Sequence, residues 1–292
     1  MRVLALVGIG GTTETGNVDP LEAMADLAQE LNCHFHVDSA WGGPTLFSRT
    51  YRPLLRGIER ADSVTIDAHK QLYVPMGAGM VVFKDPETLA SIEHHAAYII
   101  RRGSKDLGSH TLEGSRPGKA MLVHAGLSII GRKGYELLID MGIERARTFA
   151  AMIREHPDFE LTSEPELNIL TYRYCPRNLQ QQLARATVVQ RARMNALLDQ
   201  VNQLLQKYQR EAGRTFVSRT RLRVAAYGQQ EITVLRVVLA NPLTTDEILA
   251  AVLAEQCALG QQPGICDLLE HVEALCAEIA NASPSAACVK AG

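Results

Sequence analysis

The chain has 292 residues, 46% of them hydrophobic, enough apolar material for one large domain or a large one with a small companion. A formal net charge of −2 offers no basic field for nucleic acid, and no apolar run reaches membrane-spanning length, so neither partner is expected. Six cysteines without a Cys-x-x-Cys pair give no metal-site signature and no disulfide framework; free thiols in a reducing cytoplasm are the economical reading.

Residues 3–7 form a continuous apolar run, which predicts an interior parallel strand buried on both faces. It leads into Gly8-Ile9-Gly10-Gly11-Thr12-Thr13, a loop whose glycines let backbone approach a ligand closely. The Gly-x-Gly-x-x-Gly fingerprint is absent, which sets aside a Rossmann-type binding module. Residues 19–30 predict a helix by apolar spacing, and residues 35–38 a strand ending in Asp38. Strand, helix, strand marks a βαβ unit and a parallel sheet, whose ligands sit at the carboxyl ends of strands. Thr13 and Asp38 both fall at such ends.

Residues 44–60 read as a loop and short helix whose arginines form a solvated face. Residues 64–66 and 79–83 are β-prone runs on either side of Lys70 and a Pro/Gly-rich turn, a strand–turn–strand pattern. Lys70 is then either a solvated hairpin lysine or an amine consumed by chemistry, since an imine leaves no ammonium to solvate. Asp38 either caps its turn or belongs with that lysine. As a pair, the acid keeps a pyridine nitrogen protonated, the small Ala40 lets a ring lie flat, and the lysine takes an aldehyde carbon. Pyridoxal phosphate (PLP) chemistry asks for a Lys and an Asp in those two roles.

Further along, residues 86–100 predict a helix, and residues 101–108 have the polar, glycine-bearing composition of a lid. Residues 120–157 read as helix interrupted at Gly131 and Gly134. Strands are expected at 159–162, 168–174, 214–225 and 231–239, and helices at 179–208 and 245–259. This predicts a sheet domain over 1–134, a linking helix with a small α+β domain over 135–280, and a disordered tail over 281–292.

His36-Val37-Asp38-Ser39-Ala40-Trp41-Gly42-Gly43 and Ala61-Asp62-Ser63-Val64-Thr65-Ile66-Asp67-Ala68-His69-Lys70 together resemble the group II PLP-dependent amino-acid decarboxylases. Gly10-Gly11-Thr12-Thr13-Glu14-Thr15-Gly16-Asn17-Val18-Asp19-Pro20 and Gly108-Ser109-His110-Thr111-Leu112-Glu113-Gly114-Ser115-Arg116-Pro117-Gly118 look closest to the bacterial aspartate 1-decarboxylase branch. The resemblance implies a fold type I α/β domain with a mainly parallel sheet, followed by the small α+β domain. It implies a carboxy-lyase and homodimer that acts on a small amino acid. Aspartate, going to β-alanine, is favoured, with glutamate or cysteine sulfinate as alternatives. It makes Lys70 the PLP lysine and Asp38 the pyridinium partner, and packs Ala40 on the ring. Thr13 is then brought near the ring, where its other reading is a turn threonine. His69, otherwise a core histidine, and Ser63 go near the phosphate, and Arg116 becomes a clamp on substrate carboxylate or else a structural arginine. Many relatives carry Asn-Pro where this chain has Asp67-Ala68, and an acid suits a phosphate poorly. Many also carry a tyrosine in the lid; here the nearest is Tyr98. The family's large domain begins well before residues 3–7, and that earlier part supplies the phosphate cup and a stacked aromatic. The alternative is therefore a non-catalytic remnant that acts as an interaction domain or needs a separate N-terminal half.

Overall fold

The computed structural model describes residues 2–95, 98, 100, 101, 103, 107–111 and 116–282. The chain divides into two compact units, 1–141 and 142–292, so the division falls inside a long helix and not at residue 134.

The first unit is built on a four-stranded sheet in the order β1 (Ala5–Ile9), β2 (His34–Asp38), β3 (Ser63–Asp67), β4 (Gly79–Phe83). The first three strands run parallel, and β3 and β4 form an antiparallel hairpin. Helix α1 (Leu21–Leu31) crosses between β1 and β2 and buries Leu21, Ala25 and Ala28 against Phe35 and Val37. Asn32 ends α1 in the left-handed conformation, its N–H bonded to the carbonyls of Ala28 and Gln29.

The expectation that the first strand is buried on both faces does not hold. β1 stands at the end of the sheet, and Val7 is 52% exposed. Apolar side chains on the α1 face are covered, while the opposite face of β1 and β2 carries Ala5, Val7, His34 and His36. Residues 44–60 form three short 3-10 turns and not a helix, two of them started by Pro44 and Pro53. Of the helix expected over 86–100, residues 96, 97 and 99 lie outside the described residues, and the described part holds a 3-10 segment, Pro86–Ile92, in which no residue is buried. With its apolar side chains unburied, a helix has little to hold it. Of the lid expected over 101–108, residues 102 and 104–106 lie outside the described residues.

Helix α2 (Lys119–Glu155) breaks at Gly131, where φ is 67° and ψ 172°, values a side chain would strain. The second unit has an antiparallel sheet in the order β5 (Phe159–Ser163), β6 (Ile169–Tyr174), β8 (Gln230–Val238), β7 (Ser218–Val224). It also holds helices α3 (Arg177–Arg185), α4 (Val188–Ala212), α5 (Asp246–Gly260) and α6 (Pro263–Ala282). Its centre includes Arg173, fully buried yet paired with Glu160 at 2.6 Å and bonded to Asn195 and Tyr227 at 2.8 Å each. A buried charge persists only with such partners. The tail expected at 281–292 lies outside the described residues from 283 onward.

Candidate functional site

Three loops meet at the carboxyl ends of β1, β2 and β3. The loop after β1 folds on itself: Thr12 N donates to Asn17 O at 2.9 Å, and Thr12 and Thr15 hydroxyls bond at 2.8 Å. Asp19 closes it, its Oδ2 accepting from Ile9 N at 2.8 Å. The loop after β2 lies directly against it, with Gly10 N donating to Asp38 O at 2.8 Å and Gly42 N to Gly10 O at 2.9 Å. A Cβ at Gly10 would stand 2.3 Å from Ser39 Oγ, so this approach requires glycine. The third loop follows β3, and the buried Gln71 ties it to the second by donating Nε2 to Trp41 O at 2.7 Å.

These loops enclose a cleft of about 240 Å³ lined by Ile9, Gly11, Thr12, Thr13, Glu14, Asp38, Ala40, Trp41 and Lys70. Four residues singled out from the sequence, Thr13, Asp38, Ala40 and Lys70, therefore share one wall. Asp38 Oδ1 accepts the Ala40 N–H at 3.1 Å, which fixes the carboxylate and engages one of its two oxygens. Lys70 Nζ lies 2.9 Å from Asp67 Oδ2.

Three expected residues, His69, Ser63 and Arg116, are not among those that line the cleft. His69 donates Nδ1–H to the Ala78 carbonyl at 3.0 Å, which draws its ring toward the hairpin. Ser63 sits at the opposite end of β3 from Asp67, buried, with its hydroxyl between His34 Nε2 at 2.8 Å and His36 Nδ1 at 2.7 Å. The length of the strand separates it from the three loops, and its hydroxyl is already engaged. Arg116 is exposed and is not among the lining residues. Asp67 and Gln71 were not expected. Asp67 stands three residues before the lysine, and Gln71 immediately follows it.

A larger depression of about 630 Å³ in the same unit is wide open and holds Arg49, Lys133, Glu136 and Asp140. Its charges answer one another: Arg49 Nε donates to Glu136 at 2.7 Å and holds that carboxyl below its usual range. In the second unit, His156, Asp158 and Cys257 cluster. Asp158 N donates to His156 Nδ1 at 3.2 Å, so the neutral ring keeps its proton on Nε2, 3.6 Å from Cys257 Sγ. A metal would need that nitrogen's lone pair, and ligating imidazoles donate from the other nitrogen. The cluster is a closed hydrogen-bonded set.

Asp38 and Lys70 are an acid and an amine of the types PLP chemistry uses, and Ala40, on the same cleft, adds no bulk. Residues 2–175 match the pyridoxal-dependent decarboxylase conserved domain, and the chain belongs to that family. It is 61% identical over 256 residues to the aspartate 1-decarboxylase of Aliivibrio fischeri, a match covering 88% of this chain and 47% of that protein. It is 36% identical to the L-aspartate decarboxylase of Thermococcus kodakarensis, over 59% of this chain and 45% of the relative. Its fold is similar to that of mouse CSAD in apo form, with TM-score 0.77 and 28% identity, over 88% of this chain and 52% of the mouse chain. The chain thus spans about half the length of these relatives.

Proposed function

We propose that the protein is a PLP-dependent decarboxylase that removes the α-carboxylate of a small amino acid, with aspartate favoured. The observation that carries the reading is the single cleft lined by Lys70, Asp38, Ala40 and Thr13. When bound, PLP supplies an electron sink for the pair released by the breaking Cα–carboxylate bond. Lys70 would provide the amine that anchors the cofactor. Asp38, its Oδ1 engaged by Ala40 N, would keep the pyridine nitrogen protonated. Ala40 and Thr13, which line the same cleft, would help to hold the ring. His69 orients the lysine's turn through its bond to Ala78.

Aspartate is favoured because the 61%-identical relative and the archaeal one are both aspartate decarboxylases. Relatives that are themselves decarboxylases favour an enzyme over the non-catalytic alternative. A homodimer in the cytoplasm belongs to the same proposal. The test is carbon dioxide release from aspartate, glutamate and cysteine sulfinate with saturating PLP, joined to borohydride fixation and peptide mapping. Release should be fastest from aspartate, with the pyridoxyl group on Lys70. No release, or fixation on Lys84 with Lys70 unmodified, would overturn the reading.

A further inference from the structure

Asp67 ends β3, and Lys70 follows in the turn it begins. Lys70 N donates to Asp67 O at 3.2 Å, and Asp67 N donates to Ala40 O at 3.2 Å, so the backbone of Asp67 is tied to both neighbouring loops. Across the hairpin it faces Gly79, where a Cβ would stand 3.1 Å from Asp67 Oδ1. Glycine there leaves room for the carboxylate. Its Oδ2 lies 2.9 Å from Lys70 Nζ and 3.8 Å from His69 Nε2. Glu14 and Asp38 line the same cleft, yet among the described residues Asp67 is the acid in ion-pair contact with Nζ.

An ammonium is no nucleophile, and a lysine stem has many rotamers. Lys70 therefore needs a group that holds its nitrogen at the cleft. We propose that Asp67 is that group: a positioning residue whose Oδ2 pairs with the Lys70 ammonium and shields the nitrogen until a ligand takes the place of the pair. The inference rests on the reading of Lys70 as the PLP lysine. It also gives the acid a use in a place where a phosphate contact would be repulsive.

The experiment compares the chain with its D67A, D67N, D67E and K70A variants by two readouts. The first needs no cofactor: lysines are acetylated competitively with acetic anhydride, and Lys70 is scored against Lys84 by peptide mass. In D67A the relative rate at Lys70 should rise roughly 1.5-fold to fivefold, the scale of a partly exposed ion pair. D67N should fall between, and D67E should restore the wild-type ratio. The second readout is the pH profile of borohydride fixation of PLP on Lys70. D67A should move the profile to lower pH, while D67E restores it. An unfolded variant would raise Lys70 and Lys84 together, and the near-isosteric D67N then decides. Unchanged Lys70 labelling in D67A and D67N would overturn the role of Asp67 even if Lys70 remains the PLP lysine. Fixation elsewhere, unaltered in K70A, would instead overturn the underlying reading.

Discussion

A carboxylate has two oxygens, and Asp38 spends one on its own loop. With Oδ1 accepting the Ala40 N–H at 3.1 Å, the carboxylate is tethered to its own loop at the wall of the cleft. A charge-assisted hydrogen bond of about 1.5–3 kcal/mol corresponds to roughly tenfold to 150-fold in an equilibrium or a rate. Asp38→Asn keeps the shape but replaces one oxygen with a donor and removes the charge that, on the proposed function, would keep a pyridine nitrogen protonated. Turnover with aspartate should fall at least tenfold, while PLP occupancy, measured by absorbance after gel filtration, falls much less. Equal losses would mean that Asp38 only retains the cofactor. Asp38 and Lys70 were legible because each breaks a local rule: an acid ends a strand and a lysine stands between apolar runs. Ser63 is given its place by the resemblance alone, since a strand's residues do not themselves reveal which end of it faces a ligand. Asp67 was set aside as unsuited to phosphate, since its contact with Lys70 depends on the turn that only the fold supplies.

Helix α4 begins where the sequence showed no boundary. Apolar spacing runs through residues 179–208, and neither Ala186 nor Thr187 is an obligate breaker, so one helix was expected. The chain forms two, because Thr187 makes a capping box: its Oγ1 accepts from Gln190 N at 3.4 Å and Gln190 Oε1 accepts from Thr187 N at 2.9 Å. Thr187→Ala should cost about 1 kcal/mol in urea unfolding, whereas Thr187→Asn should cost a few tenths at most. An alanine variant as stable as the original would show the break to be set by packing alone. Helix α6 went unread although its signals were present: Pro263 at its start, then Ile265, Leu268, Leu269, Val272 and Leu275 at helical spacing. The strands after Phe159 were legible within a few residues, because turn residues separate them and their apolar runs are short.

At the scale of the molecule, the two units differ in what burial does to their acids. Burial pushes the Cys175 thiol up from 9.0 to about 12 and Tyr174 from 10.0 to about 12, and raises Tyr172 and Tyr227 as well. Burial also lifts Cys257 to about 11. All five belong to the second unit; in the first, Tyr135 is the thiol or phenol so raised among the described residues. Between pH 9 and 12 the unfolded chain has released the Cys175 proton while the folded chain keeps it. Folding then takes up a proton, so stability present below pH 9 is lost as pH rises. The limit is about 1.4 kcal/mol per pH unit for each fully buried group. The partly exposed Cys257 and Tyr174 act in the same direction with smaller weight, since solvent screens them. Trp41, the single tryptophan, lies in the first unit, while α3 to α6 make the second unit the main source of helical circular dichroism. Moving from pH 8 to pH 10.5 should therefore shift the circular-dichroism transition to clearly lower urea, with a smaller shift in Trp41 fluorescence. Equal displacement of both transitions would mean that the units unfold as one, or that the buried thiol and phenols do not govern alkaline stability.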